Sequence, residues 1–94
     1  MEPMAIRVEF FGIARQRAGV SELSLELPAG EARFADALRA LASKLPALGQ
    51  ELVVGGRLHD SLTANLDGAR FVSDPATPIR DGQCLLILSA DAGG

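Results

Sequence analysis

Few residues of this chain could do chemistry on their own. His59 is the only histidine, and neither a cysteine nor a second histidine stands at a spacing that would make it a metal ligand. It falls in a stretch that reads as loop, where a surface position is expected. Cys84 is the only cysteine; an apolar run follows it and no base is near it in sequence, so the expectation is a buried, inert thiol. The pairs Gly55-Gly56 and Gly93-Gly94 neither open a helix nor carry a lysine, which argues against a phosphate loop. The carboxylates are scattered, with no two placed to share a site. What remains is the end of the chain. A carboxylate carbon is a poor electrophile, and its oxygen must first become a leaving group. Attack on the α-phosphate of ATP, giving an acyl adenylate, is the simplest route. Glycine at the last two positions suits a carboxylate that must thread into a narrow pocket of another protein, since no Cβ blocks the approach and φ and ψ are free. On two glycines alone a frayed terminus is the favoured reading. Their context shifts the balance.

That context is the strand before them. Asp81-Gly82 is turn chemistry, and Cys84 to Leu88 is an unbroken apolar run. The run predicts a strand buried on both faces and central in its sheet. Ser89 to Gly94 then has no bulky side chain, and fully extended it would project roughly 20 Å. Upstream, Ile6, Val8 and Phe10 alternate with Arg7 and Glu9 in a first strand, and Leu23, Leu25 and Leu27 alternate with Ser24 and Glu26 in a second. Gly12 to Gly19 reads as the connection between them. Phe34, Leu38, Leu41 and Leu45 recur at helical spacing, with Ala37 and Ala42 beside them, and Pro46 ends that helix. No Ser, Thr or Asn marks its start. Leu48 to Val54 reads as a short extra turn and Gly55-Gly56 as a loop. Leu62, Ala64 and Leu66 make a third strand, Asp67-Gly68 a hairpin turn, and Ala69 to Val72 a short fourth strand. Ile79 is expected to tuck its side chain into the core. The order ββαβββ predicts an α+β fold with one helix covering one face of a mixed sheet.

The 94 residues are read as a single domain over 1–94, with 89–94 as a projecting tail. A hydrophobic fraction of 48% supports a packed core. No apolar run is long enough for a membrane span, the N-terminus lacks the pattern of a signal peptide, and a lone cysteine fits a reducing compartment, so a cytoplasmic location is expected. A net charge of −3, without Trp or Tyr and without Phe interleaved among basic residues, argues against nucleic acid and suits a partner with a basic groove.

Four segments in this order resemble the ubiquitin-like sulfur carriers of the MoaD/ThiS type, which include the small subunit of molybdopterin synthase. They are Ile6-Arg7-Val8-Glu9-Phe10-Phe11-Gly12, Asn65-Leu66-Asp67-Gly68, Ile79-Arg80-Asp81-Gly82-Gln83 and the terminal Gly93-Gly94. Two features depart from the family: Ser89-Ala90-Asp91-Ala92 replaces its usual prolines, and Gly49 to Ser61 is longer than in its shortest members. The resemblance implies a β-grasp, with five strands wrapped on one helix and the first and last strands parallel and central. It implies a carrier, not an enzyme, that binds no cofactor. An E1-like enzyme would use ATP to adenylate Gly94, the adenylate would become a thiocarboxylate, and a sulfur-accepting synthase would take the sulfur. Gly93 and Gly94 are then the reacting terminus. Phe11, Val72 and Leu88 close the first, fourth and fifth strands where the pattern gives little burial. Matching positions in the molybdopterin synthase small subunit contact the large subunit, which implies a partner-binding role for these three and for Ser89, Ala90, Asp91 and Ala92. Two other readings stay open. One is a ubiquitin-like modifier joined to lysines through Gly94. The other is a β-grasp interaction module whose terminus is inert.

Overall fold

Ile6, Val8 and Phe10 are buried and Arg7 and Glu9 face outward, so the alternation becomes β1 (Met4–Phe10). β2 (Glu22–Leu27) pairs with it antiparallel and buries Leu25 and Leu27 on the same side. A computed structural model describes residues 4–28, 30, 32–45, 53, 54 and 56–90 of the chain. The stretch Gly12 to Gly19, expected as a plain connection, holds a second helix, α1 (Ile13–Ala18). It buries only Ala14 and Ala18, too short a stripe for a periodic signal. Gly19, at φ 78°, closes it by donating its N–H to the Arg15 carbonyl at 3.0 Å.

β3 (Ala32–Arg33) leads into α2 (Phe34–Lys44), which buries Phe34, Ala37, Leu38 and Leu41 at the expected spacing. Its start was hard to read because the stabilising groups lie elsewhere. Asp36 accepts the Arg33 N–H at 2.8 Å, and the carbonyls of Thr77 and Pro75 accept the first helical N–H groups, from Phe34 and Ala35. Val53 and Val54 do not form a turn. They form β4 (Val53–Val54), a two-residue ribbon with β5 (Arg57–Leu58); residues 46–52 and 55 fall outside the described set.

β6 (Leu62–Leu66), β7 (Arg70–Val72) and β9 (Cys84–Ser89) complete a five-stranded sheet in the order β2-β1-β9-β6-β7. β9 lies in the middle, parallel to β1 and antiparallel to β6. β8 (Pro78–Ile79) pairs with β3, and Ile79 is buried as expected. The corner before β9 is built from two of the motifs noted above. Asp67, held at φ 59°, accepts the Cys84 N–H on Oδ1 at 2.8 Å and the Gln83 side chain on Oδ2 at 2.9 Å. Asp81 accepts the Ala5 N–H at 2.8 Å, and Gly82 donates to the Ala5 carbonyl at 2.9 Å. These bonds set the register of the first strand against the last.

One expectation needs correcting. β9 is central, but only one of its faces is covered. Leu85 and Ile87 are fully buried, whereas Cys84, Leu86 and Leu88 are half-buried on the opposite face. An apolar run in a central strand therefore signals two different things here, a core on one side and an apolar surface on the other. Among the described residues, no helix is long and apolar enough to cross a membrane.

Candidate docking face and the root of the tail

The side chains on the uncovered face of the sheet follow from the register. Across the middle run Glu22, Glu9, Leu86, Asn65 and Phe71, each paired with the next on the neighbouring strand. Phe71 is 55% exposed. Toward the end of β9, Leu88 pairs with Thr63, and Phe11, 45% exposed, donates its N–H to the Ile87 carbonyl at 3.0 Å. Leu86 and Phe71 in the middle row, with Phe11 and Leu88 toward the end of β9, thus give this face an apolar surface. Phe11 and Leu88 stand where the sequence put them. Val72 does not: it is buried, opposite Ala64 in the core, and the exposed residue of β7 is its neighbour Phe71. A strand alternates faces at every residue, so an offset of one moves a side chain from surface to core. Leu86 was missed for a related reason, because an unbroken apolar run hides which alternate residues face outward.

The root of the tail is held on two sides. The Ala90 N–H donates to the Ser61 carbonyl at 2.8 Å, and Ser89 Oγ accepts the Ile13 N–H at 3.4 Å. Gly12, at φ 56°, backs onto the same hydroxyl, and a Cβ there would stand 3.2 Å from it. Arg17 donates to Ser61 Oγ at 2.8 Å. His59 is half-buried, not a free surface group. Its Nδ1 accepts the Ser61 N–H at 3.0 Å and lies 2.8 Å from Ser61 Oγ, so the neutral ring carries its proton on Nε2. Ser89 and Ala90 are half-buried; Asp91, Ala92, Gly93 and Gly94 lie outside the described residues.

Cys84 is half-buried and on the uncovered face, where its thiol donates to Glu9 Oε2 at 2.9 Å. Burial pushes the thiol up from its ordinary value and the Glu9 bond adds to this, with Arg7 opposing. It is therefore kept protonated, through a carboxylate on β1 that lies far from it in sequence. The described groups on this face are suited to recognition: apolar side chains, a flank of carboxylates, and a strand whose end, at Ser89 and Ala90, is fixed by hydrogen bonds.

A hairpin, a helix packed across it and a last strand inserted parallel to the first make this a ubiquitin-like β-grasp. No protein-family model matches the chain, and no curated protein matches it. Among solved structures it is similar to SAMP1 from Haloferax volcanii, at a TM-score of 0.77 and 22% identity, over 96% of this chain and 99% of that one. It is similar to a Pyrococcus furiosus protein provisionally identified as molybdopterin converting factor, subunit 1, at 0.72 and 27%, over 92% and 97%. It is also similar to a chain of the BexX/CysO complex of Amycolatopsis orientalis, at 0.66 and 24%, over 95% and 99%. The structural neighbours are of the ubiquitin-like MoaD/ThiS type that the sequence motifs resemble.

Proposed function

We propose that this protein is a sulfur carrier that works through its C-terminal glycine. In the first step the Gly94 carboxylate attacks the α-phosphate of ATP on an E1-like enzyme, forming the acyl adenylate and releasing pyrophosphate. In the second, sulfur from a donor attacks the carbonyl carbon and AMP leaves, giving the thiocarboxylate. That anion is a better nucleophile than the carboxylate, and a sulfur-accepting synthase receives it. The carrier supplies delivery; the bond-making groups belong to its partners. The observation that carries this reading is the central strand β9, pinned between β1 and β6 and leading within a few residues to Gly93-Gly94. The likeness to a chain of the BexX/CysO complex supports a partner enzyme in general. Phe11, Leu88, Phe71 and Leu86 are assigned to docking, with Ser89 and Ala90 meeting the partner at the root of the tail and Asp91 and Ala92 leading Gly93-Gly94 into its channel. Apolar side chains contiguous on an uncovered face mark an interaction site.

The test is intact-mass measurement after incubation with an E1-like enzyme of the same organism, ATP and a sulfur source. A gain equal to one exchange of oxygen for sulfur, placed at Gly94 by fragmentation, is expected. Failure of that enzyme to form the adenylate would sink the reading.

A second reading, a protein modifier joined to lysines through Gly94, draws on the printed name of the Methanosarcina acetivorans neighbour, small archaeal modifier protein 1. The chain holds one lysine, Lys44, whose Nζ donates to the Ser24 carbonyl at 3.0 Å. Chains of this protein linked to one another could form only through that side chain or the N-terminus. Lysine-linked adducts in a tagged cell extract, absent when Gly93 and Gly94 are deleted, would favour the modifier.

A further inference from the structure

The row across the uncovered face carries two arrangements that the isolated fold does not need. Glu9 and Glu22 stand directly opposite each other on β1 and β2. Like charges in that position destabilise a sheet. Among the described residues the cation paired with them is Arg7, whose Nε lies 3.9 Å from Glu9 Oε2 and 3.7 Å from Glu22 Oε2, so one guanidinium serves two carboxylates. Glu26, opposite Ala5, adds a third carboxylate to the same flank. At the centre of the row, Asn65 is 8% exposed although it points away from the core. Leu86 and Phe71 flank it on the neighbouring strands, and its Oδ1 is buried with no hydrogen-bond partner among the described residues. A buried carbonyl without a donor carries a desolvation cost. The two arrangements lie on one line, Glu22-Glu9-Leu86-Asn65-Phe71, and a surface laid over that line could answer both.

We infer that the partner surface that docks here, that of the activating enzyme, carries an arginine or lysine opposite the Glu9–Glu22 pair, an apolar socket for Leu86 and Phe71, and an N–H or O–H donor that meets the Asn65 amide when those two side chains turn into the socket. The inference rests on the docking reading proposed above and adds the chemistry of the partner. The acidic flank steers the encounter and fixes orientation, because a partner rotated on the apolar contacts alone would leave both carboxylates and the amide unanswered. Arg7 and Cys84 bear on the same groups. Arg7 keeps the two carboxylates from full repulsion in the free protein, and the Cys84 thiol holds Glu9 in place through its 2.9 Å bond.

The experiment is a titration of the purified E1-like enzyme of the same organism against the full chain and five variants, at several salt concentrations, with an unfolding midpoint for each. Glu9→Gln and Glu22→Gln are expected to weaken binding about tenfold at low salt and to flatten its salt dependence. Glu22→Lys should weaken it further. None of the three should lower the unfolding midpoint, since each relieves the opposed charges. Asn65→Leu is expected to raise the midpoint while weakening binding, opposite signs that a merely structural role would not give. Phe71→Ala is the control for the docking reading and should weaken binding without changing the salt slope. If Phe71→Ala weakens binding but the glutamate variants match the natural protein at every salt concentration, the inference is overturned and the docking reading stands. If Phe71→Ala has no effect either, both fall. Asn65→Leu binding as tightly as the natural chain overturns the donor to the amide.

Discussion

Cys84 shows how much a single side chain depends on a strand it never meets in sequence. Read along the chain it is an inert core thiol; in the fold it is half-buried on the uncovered face, where burial, and then the hydrogen bond to Glu9 from β1, disfavour the thiolate. Its folded-state value is raised, so the folded protein holds that proton more tightly than the unfolded one. The resulting stability is complete below the ordinary thiol range and is lost as pH rises through the raised value. Urea unfolding should therefore show the natural protein ahead of Cys84→Ala by on the order of 1 kcal/mol near neutrality, with the difference shrinking as pH rises through that value. Sulfur loading should be unaffected by the substitution, and loss of loading in a folded variant would give the thiol a role it lacks in this account. Phe71 and Val72 make the sharper pair. Phe71→Ala should weaken docking by about 2 kcal/mol or more with little change in unfolding midpoint. Val72→Ala should cost about 2 kcal/mol of stability and leave docking intact. Titration and denaturation on both variants read the two effects separately. The exposed position on β7 was out of reach in the sequence because Ala69-Arg70-Phe71-Val72 is too short for its alternation to tell which phase faces the core.

The elements that were legible were those with long periodic signals. The four buried positions of α2, and the alternating β1, β2 and β6, stand where their patterns placed them. Those that were not lack a periodic signal of their own: α1, held by backbone bonds at Phe11 and Gly19, buries only two alanines, and the N-terminus of α2 is satisfied by carbonyls of the distant loop before β8. The short corners explain why the motif residues stand where they do. Gly12 combines φ 56° and ψ −128°, a region open to glycine, with 3.2 Å between a would-be Cβ and Ser89 Oγ. Gly12→Ala should cost about 1–3 kcal/mol and disturb the strand end from which the tail leaves, seen as a lower melting temperature and chemical-shift changes at Ser89 and Ala90. Asp67 does two things, tolerating φ 59° and accepting two hydrogen bonds. Asp67→Ala should lose both and cost about 2 kcal/mol. Asp67→Asn keeps the backbone tolerance and one acceptor, and thermal unfolding should place it between the natural protein and the alanine variant.

For the whole molecule, stability and delivery occupy separate parts. The core is built by residues up to Ile87, while the proposed chemistry sits beyond Ala90. One bulky residue added after Gly94 should therefore abolish adenylation with no change in melting temperature. A drop in melting temperature on that addition would mean the tail packs on the domain. The β-grasp itself was readable from the order of elements and the four motifs, whereas the uncovered apolar face became visible only with the register in hand. The placement of β9 has a consequence for how the protein is made. The strand at the middle of the sheet is the last of the described strands to be synthesised, and it pairs with the first of them, its residues lying some 77 positions downstream of their partners (84 − 7 = 77). Until it emerges, β1 and β6 each lack a neighbour, and the nascent chain offers two unpaired edges to proteases and chaperones. A molecule truncated by a stalled ribosome before residue 84 cannot close the sheet. Translation thus sorts its own products: whatever folds has already synthesised the strand that carries the tail.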